Sequence, residues 1–151
     1  MKITKHLSII PILVSDQEVA LAFYPEKLGL EKRTDMAFGP RLRLLTVASK
    51  GQRRPEIALI RPEDTLYNAQ QIESALMQRE QQAPWVFDTD DCQKAYALLQ
   101  SRGIHFISAP TRQCYGTEAK FSDPFGNTFI LLEASPGVRT LFKNRRVGRA
   151  A

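Results

Sequence analysis

The sequence contains one structural pattern twice, and this duplication constrains the fold more than any other feature. Asp16 and Gly29 bracket a predicted helix, and Asp90 and Gly103 bracket a second one at the same separation, 74 positions later. A strand precedes each helix and three strands follow it. A repeat of this size that occurs only twice indicates a duplicated module rather than a solenoid. We therefore predict an α+β fold of two tandem βαβββ modules, whose curved mixed sheets form a cupped cavity.

The first module opens with residues 7–14, an Ile-, Leu- and Val-rich segment that predicts a strand. Pro11 within it predicts a sheet edge or an irregularity in the strand, because proline cannot donate a hydrogen bond to a neighbouring strand. Ser15 and Glu18 have the spacing of a capping box, which predicts that Ser15 caps the helix. Gly29 is predicted to end the helix. The three strands that follow are predicted at residues 30–33, 41–48 and 57–60.

The second module shows the same order of signals. Residues 85–87 predict a strand, and the run Thr89-Asp90-Asp91 supplies a helix cap, with Gln93 three residues after Asp90. Residues 104–107 predict the next strand. The segment 123–127, Asp-Pro-Phe-Gly-Asn, is a strong turn signal. It predicts a hairpin between strands at 118–121 and 128–132.

The length fits a single domain, which we place at residues 1–138. It would consist of module one at about 5–61, a linker helix at about 62–82 and module two at about 83–135. Residues 139–151 are a basic tail, since no acidic residue follows Glu133. Five of the 21 Lys and Arg residues lie beyond that point, so the remainder has 16 basic against 16 acidic residues.

Composition excludes several classes of protein. No apolar run approaches the roughly 20 residues of a membrane helix, and the N-terminal apolar stretch has no cleavage site of a signal peptide. The expected location is the cytoplasm, with Cys92 and Cys114 as buried reduced thiols rather than a disulfide or a redox pair. The basic tail could touch nucleic acid or anionic lipid, but a solvated chain end is the favoured interpretation. No aromatic-rich basic patch indicates a nucleic-acid partner.

Several short segments, taken in order, are similar to one family. They are Val14-Ser15-Asp16-Gln17, Ala20-Leu21-Ala22-Phe23-Tyr24, Leu28-Gly29-Leu30, Thr89-Asp90-Asp91-Cys92, Tyr96 to Leu99, Arg102-Gly103-Ile104 and Phe121 to Asn127. Over roughly residues 5–133 the chain resembles the glyoxalase/bleomycin resistance protein/dioxygenase (vicinal oxygen chelate) superfamily. The resemblance implies paired βαβββ modules and usually a homodimer. Activities in the family include isomerisation, ring-cleaving dioxygenation, epimerisation, thiol addition to antibiotics and drug sequestration.

For the enzymes of the family, the resemblance also implies a divalent metal that acts as a Lewis acid. Its His, Glu or Gln ligands come from the first and last strand of each module. Carried over to this sequence, the ligand positions are Ile9, Pro84 and Ile130, which offer no lone pair to a metal. Glu56 aligns with Ile130 at the offset of 74, but one carboxylate cannot hold a catalytic ion. His105 falls outside these positions and is interpreted as an ordinary strand residue, so we predict neither metal nor cofactor.

Strand alternation supplies a candidate binding surface. If Ile130 points inward, its hairpin partners Glu118 and Lys120 do so too, and Ile9, Pro11 and Leu13 form an apolar floor. The predicted substrate-binding residues are Glu56, Glu118, Lys120, Tyr115, Thr46 and Arg43. The first three are polar anchors, and Arg43 and Tyr115 lie near the rim. The alternative is that these charges pair with one another or with solvent.

Three functions follow from this interpretation. The favoured one is a metal-independent protein that binds a small organic molecule in the cup, as a sequestering, resistance or carrier protein. The alternative is a lyase, isomerase or dioxygenase-like enzyme of the same superfamily. Such an enzyme is metal-free, with Glu56 as a candidate base and the catalytic residues otherwise unknown, or it completes a metal site across a dimer. The balanced charge of the domain gives little support for a cationic ligand such as bleomycin.

Overall fold

The computed structural model describes residues 1–65, 67–79 and 81–141. The chain divides into two compact units, each with one four-stranded sheet. The first unit comprises Met1–Gln82 and the turn Pro124–Asn127, and the second comprises Ala83–Asp123 and the chain from Thr128 onward. The division after Gln82 coincides with the predicted start of module two. The assignment of both modules to one domain stays a prediction.

The sheet of the first unit has the strand order β1-β4-β3-β2. Strand β1 (Ile9–Leu13) lies at one edge and runs parallel to β4 (Glu56–Ile60). Strand β3 (Leu42–Ala48) runs antiparallel to β4 and to β2 (Glu31–Phe38). The edge position predicted from Pro11 is therefore confirmed. Strand β2 is longer than predicted, because its weakly strand-forming second half is held by pairing with β3.

Helix α1 (Gln17–Leu21) covers one face of this sheet and continues into a wider π-helical turn, Ala22–Lys27. The prediction that Ser15 caps this helix is wrong. Asp16 is the N-cap, because its carboxylate accepts hydrogen bonds from the backbone amides of Glu18 at 2.9 Å and Val19 at 3.1 Å. Gly29, at φ 81°, ends the segment as predicted.

The predicted linker helix is shorter than residues 62–82. A 3₁₀ turn, Pro62–Asp64, is followed by helix α2, Ala69–Gln78. Asn68 caps α2 through a capping box, in which Asn68 and Gln71 each accept the other's backbone amide at 2.9 Å. The capping signal of Asn68 was missed because the segment was interpreted only from its helix-forming composition.

The sheet of the second unit repeats the same topology, in the order β5-β8-β7-β6. Strand β5 (Trp85–Asp88) runs parallel to β8 (Thr128–Ala134), and β7 (Gly116–Ser122) runs antiparallel to β8 and β6 (His105–Gln113). The predicted hairpin between β7 and β8 is confirmed. The fold is therefore α+β with two tandem βαβββ modules.

Helix α3 (Cys92–Ser101) covers one face of the second sheet. Its cap is Asp91, which accepts from the amide of Lys94 at 3.0 Å, and not Asp90. The constant spacing from Asp to Gly that revealed the repeat therefore includes one residue that does not cap a helix. Gly103 ends α3 at φ 87°, as predicted.

The start of the predicted basic tail belongs to ordered structure. Residues 136–141 are helical, and the amide of Arg139 donates to the carbonyl oxygen of Ser135 at 2.9 Å. The guanidinium of Arg139 also donates to the carbonyl oxygens of Thr89 and Asp90, both at 3.4 Å. The rest of the predicted tail, residues 142–151, lies outside the described part of the chain. Among the described helices, none has the length and apolar character needed to cross a membrane.

Candidate functional site

Each sheet has one face covered by its helix and one face without a helix. In the first unit, Arg43 of β3 forms an ion pair with Glu18 of α1 at 2.6 Å, so Arg43 points to the helix. Since side chains alternate along a strand, Leu42, Leu44 and Thr46 point the other way. We call this surface the first open face. Its members, by register, are Ile9, Pro11 and Leu13 of β1, Glu56, Ala58 and Ile60 of β4, Leu42, Leu44, Thr46 and Ala48 of β3, and Glu31, Thr34, Met36 and Phe38 of β2.

A carboxylate and a hydroxyl meet in the central strands of this face. The hydroxyl of Thr46 donates to Oε1 of Glu56 at 2.7 Å. Thr46 is 1% exposed and Glu56 is half-buried. Ile9 is the direct neighbour of Glu56 across the parallel pair β1–β4. The hydrogen bond fixes one carboxylate oxygen and leaves Oε2 to other partners.

The other carboxylate of the first open face is Glu31, the first residue of the edge strand β2. Its Oε1 lies 2.9 Å from Nε of Arg33, so its charge is compensated within the strand. Glu56 forms no ion pair within the described residues. It is thus the one uncompensated charge that these residues place on the first open face.

Large apolar side chains on the same face reach solvent. The exposed fractions are 43% for Ile9, 54% for Met36, 52% for Phe38 and 39% for Leu42. Met36, Phe38 and Leu42 lie close together in the β2–β3 register, and Ile9 lies beside Glu56 on β1. Clustered exposed apolar residues mark binding sites more often than isolated ones do.

Arg43 does not belong to this surface, although it was a predicted binding residue. Besides Glu18, its Nε contacts Oδ1 of Asp35 at 2.8 Å. The hydrogen bond from Arg43 lowers the pKa of Asp35 to about 2, and the same contacts raise the pKa of Arg43. The prediction is corrected by strand alternation, because Arg43 is one residue from Leu44 and therefore faces the helix. Arg43 stabilises the contact between α1 and the sheet.

The second sheet also has an open face. Tyr96 of α3 packs against Phe106 with ring centroids 4.6 Å apart, and Phe106 packs against Phe121 at 5.5 Å, so both phenylalanines face the helix. Lys120 and Glu118 therefore point away from it. The second open face contains, by register, Val86 and Asp88 of β5, Thr128, Ile130 and Leu132 of β8, Glu118, Lys120 and Ser122 of β7, and His105 and Ser108 of β6.

Glu118 and Tyr115, both predicted binding residues, interact with each other. A hydrogen bond to Glu118 raises the pKa of the Tyr115 hydroxyl. Lys120 is half-buried and forms no ion pair among the described residues, and it lies beside Ile130 in the β7–β8 register. The second open face is thus more polar than the first, and it contains charges of both signs.

Sequence reasoning did not place the titratable residues Asp88 and His105 on the second open face. Asp88 pairs with Leu132, and His105 pairs with Ser122. Asp88 lies on β5 and His105 on β6. The residues that these strands pair with on β8 and β7 cannot be found by counting positions in the sequence. The signal that was available for Asp88 is its place at the end of a short strand, three residues before the helix cap Asp91.

Comparison with known proteins places this chain in a family. A model of the glyoxalase/bleomycin resistance protein/dioxygenase superfamily matches residues 4–131. The chain belongs to this superfamily. The uncharacterised protein YetH of Bacillus subtilis (strain 168) is 28% identical over 129 residues, which are 85% of this chain and 98% of that protein.

Two solved structures of high similarity show the same fold. UcmS2 is 33% identical with a TM-score of 0.78, and the alignment covers 87% of this chain and 100% of UcmS2. TnmS3, an antibiotic binding protein from Streptomyces sp. CB03234, is 30% identical with a TM-score of 0.72. That alignment covers 89% of this chain and 100% of TnmS3.

The strand register corrects one position in the transfer of the superfamily's metal ligands. Thr46 pairs with Ala58 in the first sheet, and Lys120 pairs with Ile130 at the same place in the second. The position equivalent to Ile130 is therefore Ala58, and not Glu56. The offset of 74 fails here because the connection between β3 and β4, residues 49–55, is two residues longer than that between β7 and β8, residues 123–127.

The residues at the transferred ligand positions do not fit a metal. Ile9, Pro84, Ala58 and Ile130 have no oxygen, nitrogen or sulfur in their side chains, and a divalent ion needs several such donors. Across the described residues, no group of three or more His, Cys, Asp and Glu side chains is arranged to hold a metal ion. Glu56 lies one residue pair away from the ligand position, on the same open face.

Proposed function

We propose that this protein binds a small organic molecule on its open sheet faces without a metal ion, and so sequesters or carries it. The observation that carries the proposal is the apolar first open face, where Ile9, Met36, Phe38 and Leu42 are each 39% exposed or more. Apolar contact is the driving force that such a surface offers, at about 25 cal/mol for each Å² removed from water. Five of the six predicted binding residues, all except Arg43, lie on or beside the open faces.

The similarity to TnmS3 supports the same proposal. TnmS3 is described as an antibiotic binding protein, and the alignment spans all of it. A binding role also agrees with side chains that offer hydrogen bonds and apolar contact but no set of metal donors.

Two properties of the favoured interpretation stay part of the proposal. We expect a homodimer, as the family resemblance implies. We also expect a reducing compartment such as the cytoplasm, because Cys92 and Cys114 are both free thiols. The predicted burial is correct for Cys92 and wrong for Cys114, which is exposed.

A second candidate function is a metal-free enzyme in which Glu56 acts as a base. The Thr46 hydroxyl orients one carboxylate oxygen at 2.7 Å and leaves Oε2 able to accept a proton. Once a substrate is known, turnover that is unchanged in Glu56→Gln would exclude Glu56 as the base. An enzyme with a metal site completed across a dimer is a third candidate, which stoichiometric metal in protein purified without chelator would establish.

Native mass spectrometry of gently purified protein tests the proposal directly, because it reports a co-purifying molecule and the oligomeric state together. A quantitative test uses the neutral fluorophore N-phenyl-1-naphthylamine. Met36→Gln should weaken its binding at least about threefold, because apolar burial of one Met contributes on the order of 1 kcal/mol. Met77→Gln is the matched control, since Met77 is 71% exposed and belongs to α2 rather than to either sheet. Equal binding by both variants would refute a site on the first open face.

A further inference from the structure

In residues 1–65, 67–79 and 81–141, the first open face combines exposed apolar side chains with one uncompensated carboxylate. The other carboxylate that these residues place there, Glu31, is ion-paired with Arg33 at 2.9 Å. Glu56 lies on the central strand β4, half-buried, with Oε1 held by the Thr46 hydroxyl at 2.7 Å. A ligand that extends from the exposed apolar side chains over Glu56 removes water from this carboxylate. A desolvated carboxylate is costly unless a cation or a strong hydrogen-bond donor replaces the water.

We infer that the ligand is an elongated apolar molecule with a basic amine at one end, and that Glu56 binds the amine and determines specificity. This inference rests on the proposed binding function and names the ligand class of that site. A protonated amine supplies both the charge and the hydrogen bonds that Oε2 lacks. An anionic group at the same place meets an uncompensated like charge in a partly buried site and is rejected.

The register sets the distance between the amine and the apolar body of the ligand. The Glu56 carboxylate lies at the level of Thr46, and the exposed Leu42 and Phe38 pair with each other four residues along β3. At about 3.3 Å per residue, the two ends of the surface are roughly 13 Å apart. Met36, paired with Leu44, lies between these levels. The surface therefore fits a molecule with its apolar part well separated from its amine.

The overall charge balance of the chain does not argue against a cationic ligand. Balance among residues 1–133 is a sum over the whole surface, whereas the ligand meets one face. On that face, the described residues leave a single negative charge. The local charge, and not the sum, determines which ligands are accepted.

Two fluorescent probes with the same dansyl group and the same pentyl tether test the inference. Dansylcadaverine ends in an amine, and N-dansyl-6-aminohexanoic acid ends in a carboxylate. We expect wild-type protein to bind the amine about tenfold or more tightly than the acid, a difference of about 1.4 kcal/mol. Glu56→Gln should reduce this preference to less than about threefold, and Glu56→Asp should preserve its sign. Glu73→Gln, which removes an exposed carboxylate of α2, is the matched control and should leave the preference unchanged.

The outcomes separate the two proposals. Equal binding of amine and acid by the wild-type protein, or a preference that survives in Glu56→Gln, overturns the role of Glu56 and leaves small-molecule binding intact. Binding of neither probe, together with no binding of N-phenyl-1-naphthylamine, overturns the proposed function and the inference with it. The wild-type comparison needs no variant, so it decides the question even if Glu56→Gln does not fold.

Discussion

The hydrogen bond between Thr46 and Glu56 is the contact on which the candidate site depends, and Thr46→Val tests it. Valine keeps the shape of threonine at a position that is 1% exposed, but it cannot donate to Oε1 of Glu56. A hydrogen bond to a charged group contributes about 1.5–3 kcal/mol to stability. Glu56 is half-buried, so water partly replaces the lost donor. We therefore expect the free energy of unfolding to fall by about 1–1.5 kcal/mol, which lowers Tm by about 2–4 °C per kcal/mol in a chain of this size.

A double-mutant cycle separates this contact from other effects of the substitutions. Thr46→Val, Glu56→Met and the double variant are compared with wild type by urea unfolding, and the coupling energy should be about 1 kcal/mol. Thr34→Val is the matched control, because Thr34 pairs with Thr46 on the same face. It should cost less than about 0.5 kcal/mol, the usual range for substitutions away from specific contacts. A coupling energy below about 0.5 kcal/mol would refute the assigned contact, since distant residues reach that value.

Three further predictions concern the framework that holds the open faces. Asp35, whose pKa is lowered to about 2, stabilises the fold above about pH 4 and loses most of this effect as the pH falls to 2; Asp35→Asn should cost about 1 kcal/mol at pH 7 after allowance for solvent, and only a small remainder of that at pH 2, by urea unfolding. Gly116→Ala should cost more than about 3 kcal/mol, since its Cβ would overlap the backbone of β8, whereas Gly39→Ala meets open space and should cost about 1 kcal/mol in thermal unfolding. Leu45→Ala should cost about 2–5 kcal/mol because Leu45 is 0% exposed, whereas Leu42→Ala, at 39% exposed, should cost less than about 1 kcal/mol yet weaken probe binding.

Alternation along strands could be read from the sequence, and register between strands could not. The prediction that Glu56 and Thr46 share a face is correct because side chains alternate with a period of two, so an alignment error of two residues leaves the face unchanged. The equivalence of Glu56 with Ile130 failed because it depends on the exact residue count. The connection at 49–55 is two residues longer than its counterpart, and a constant offset cannot detect an insertion inside a repeat.

Arg43 shows the opposite limit of sequence reasoning. The strand that contains Arg43 was predicted correctly. Strand alternation was not applied to Arg43, which was instead placed near the rim of the cavity. In the structure its partners are Glu18 and Asp35, which lie 25 and 8 residues away along the chain. Long-range ion pairs of this kind leave no periodic signal in a single sequence. A charged residue that lies an odd number of positions along the strand from the apolar residues of the open face is better interpreted as facing the helix.

The residues at the superfamily's ligand positions have a consequence beyond the loss of donors. Ile9 is 43% exposed beside Glu56, so much of its apolar surface remains for a ligand to cover. Full burial of an aliphatic side chain contributes about 1.5–3 kcal/mol, and partial exposure leaves a share of that for binding. Coordination would require a ligand with paired oxygens, whereas apolar contact requires only a complementary shape. On the first open face, orientation must then come from polar contacts, and Glu56, held by Thr46, is the one uncompensated charge that the described part of the chain supplies there. Apolar contact would thus provide affinity and the Glu56 carboxylate would provide selectivity. Neither contribution requires a metal ion.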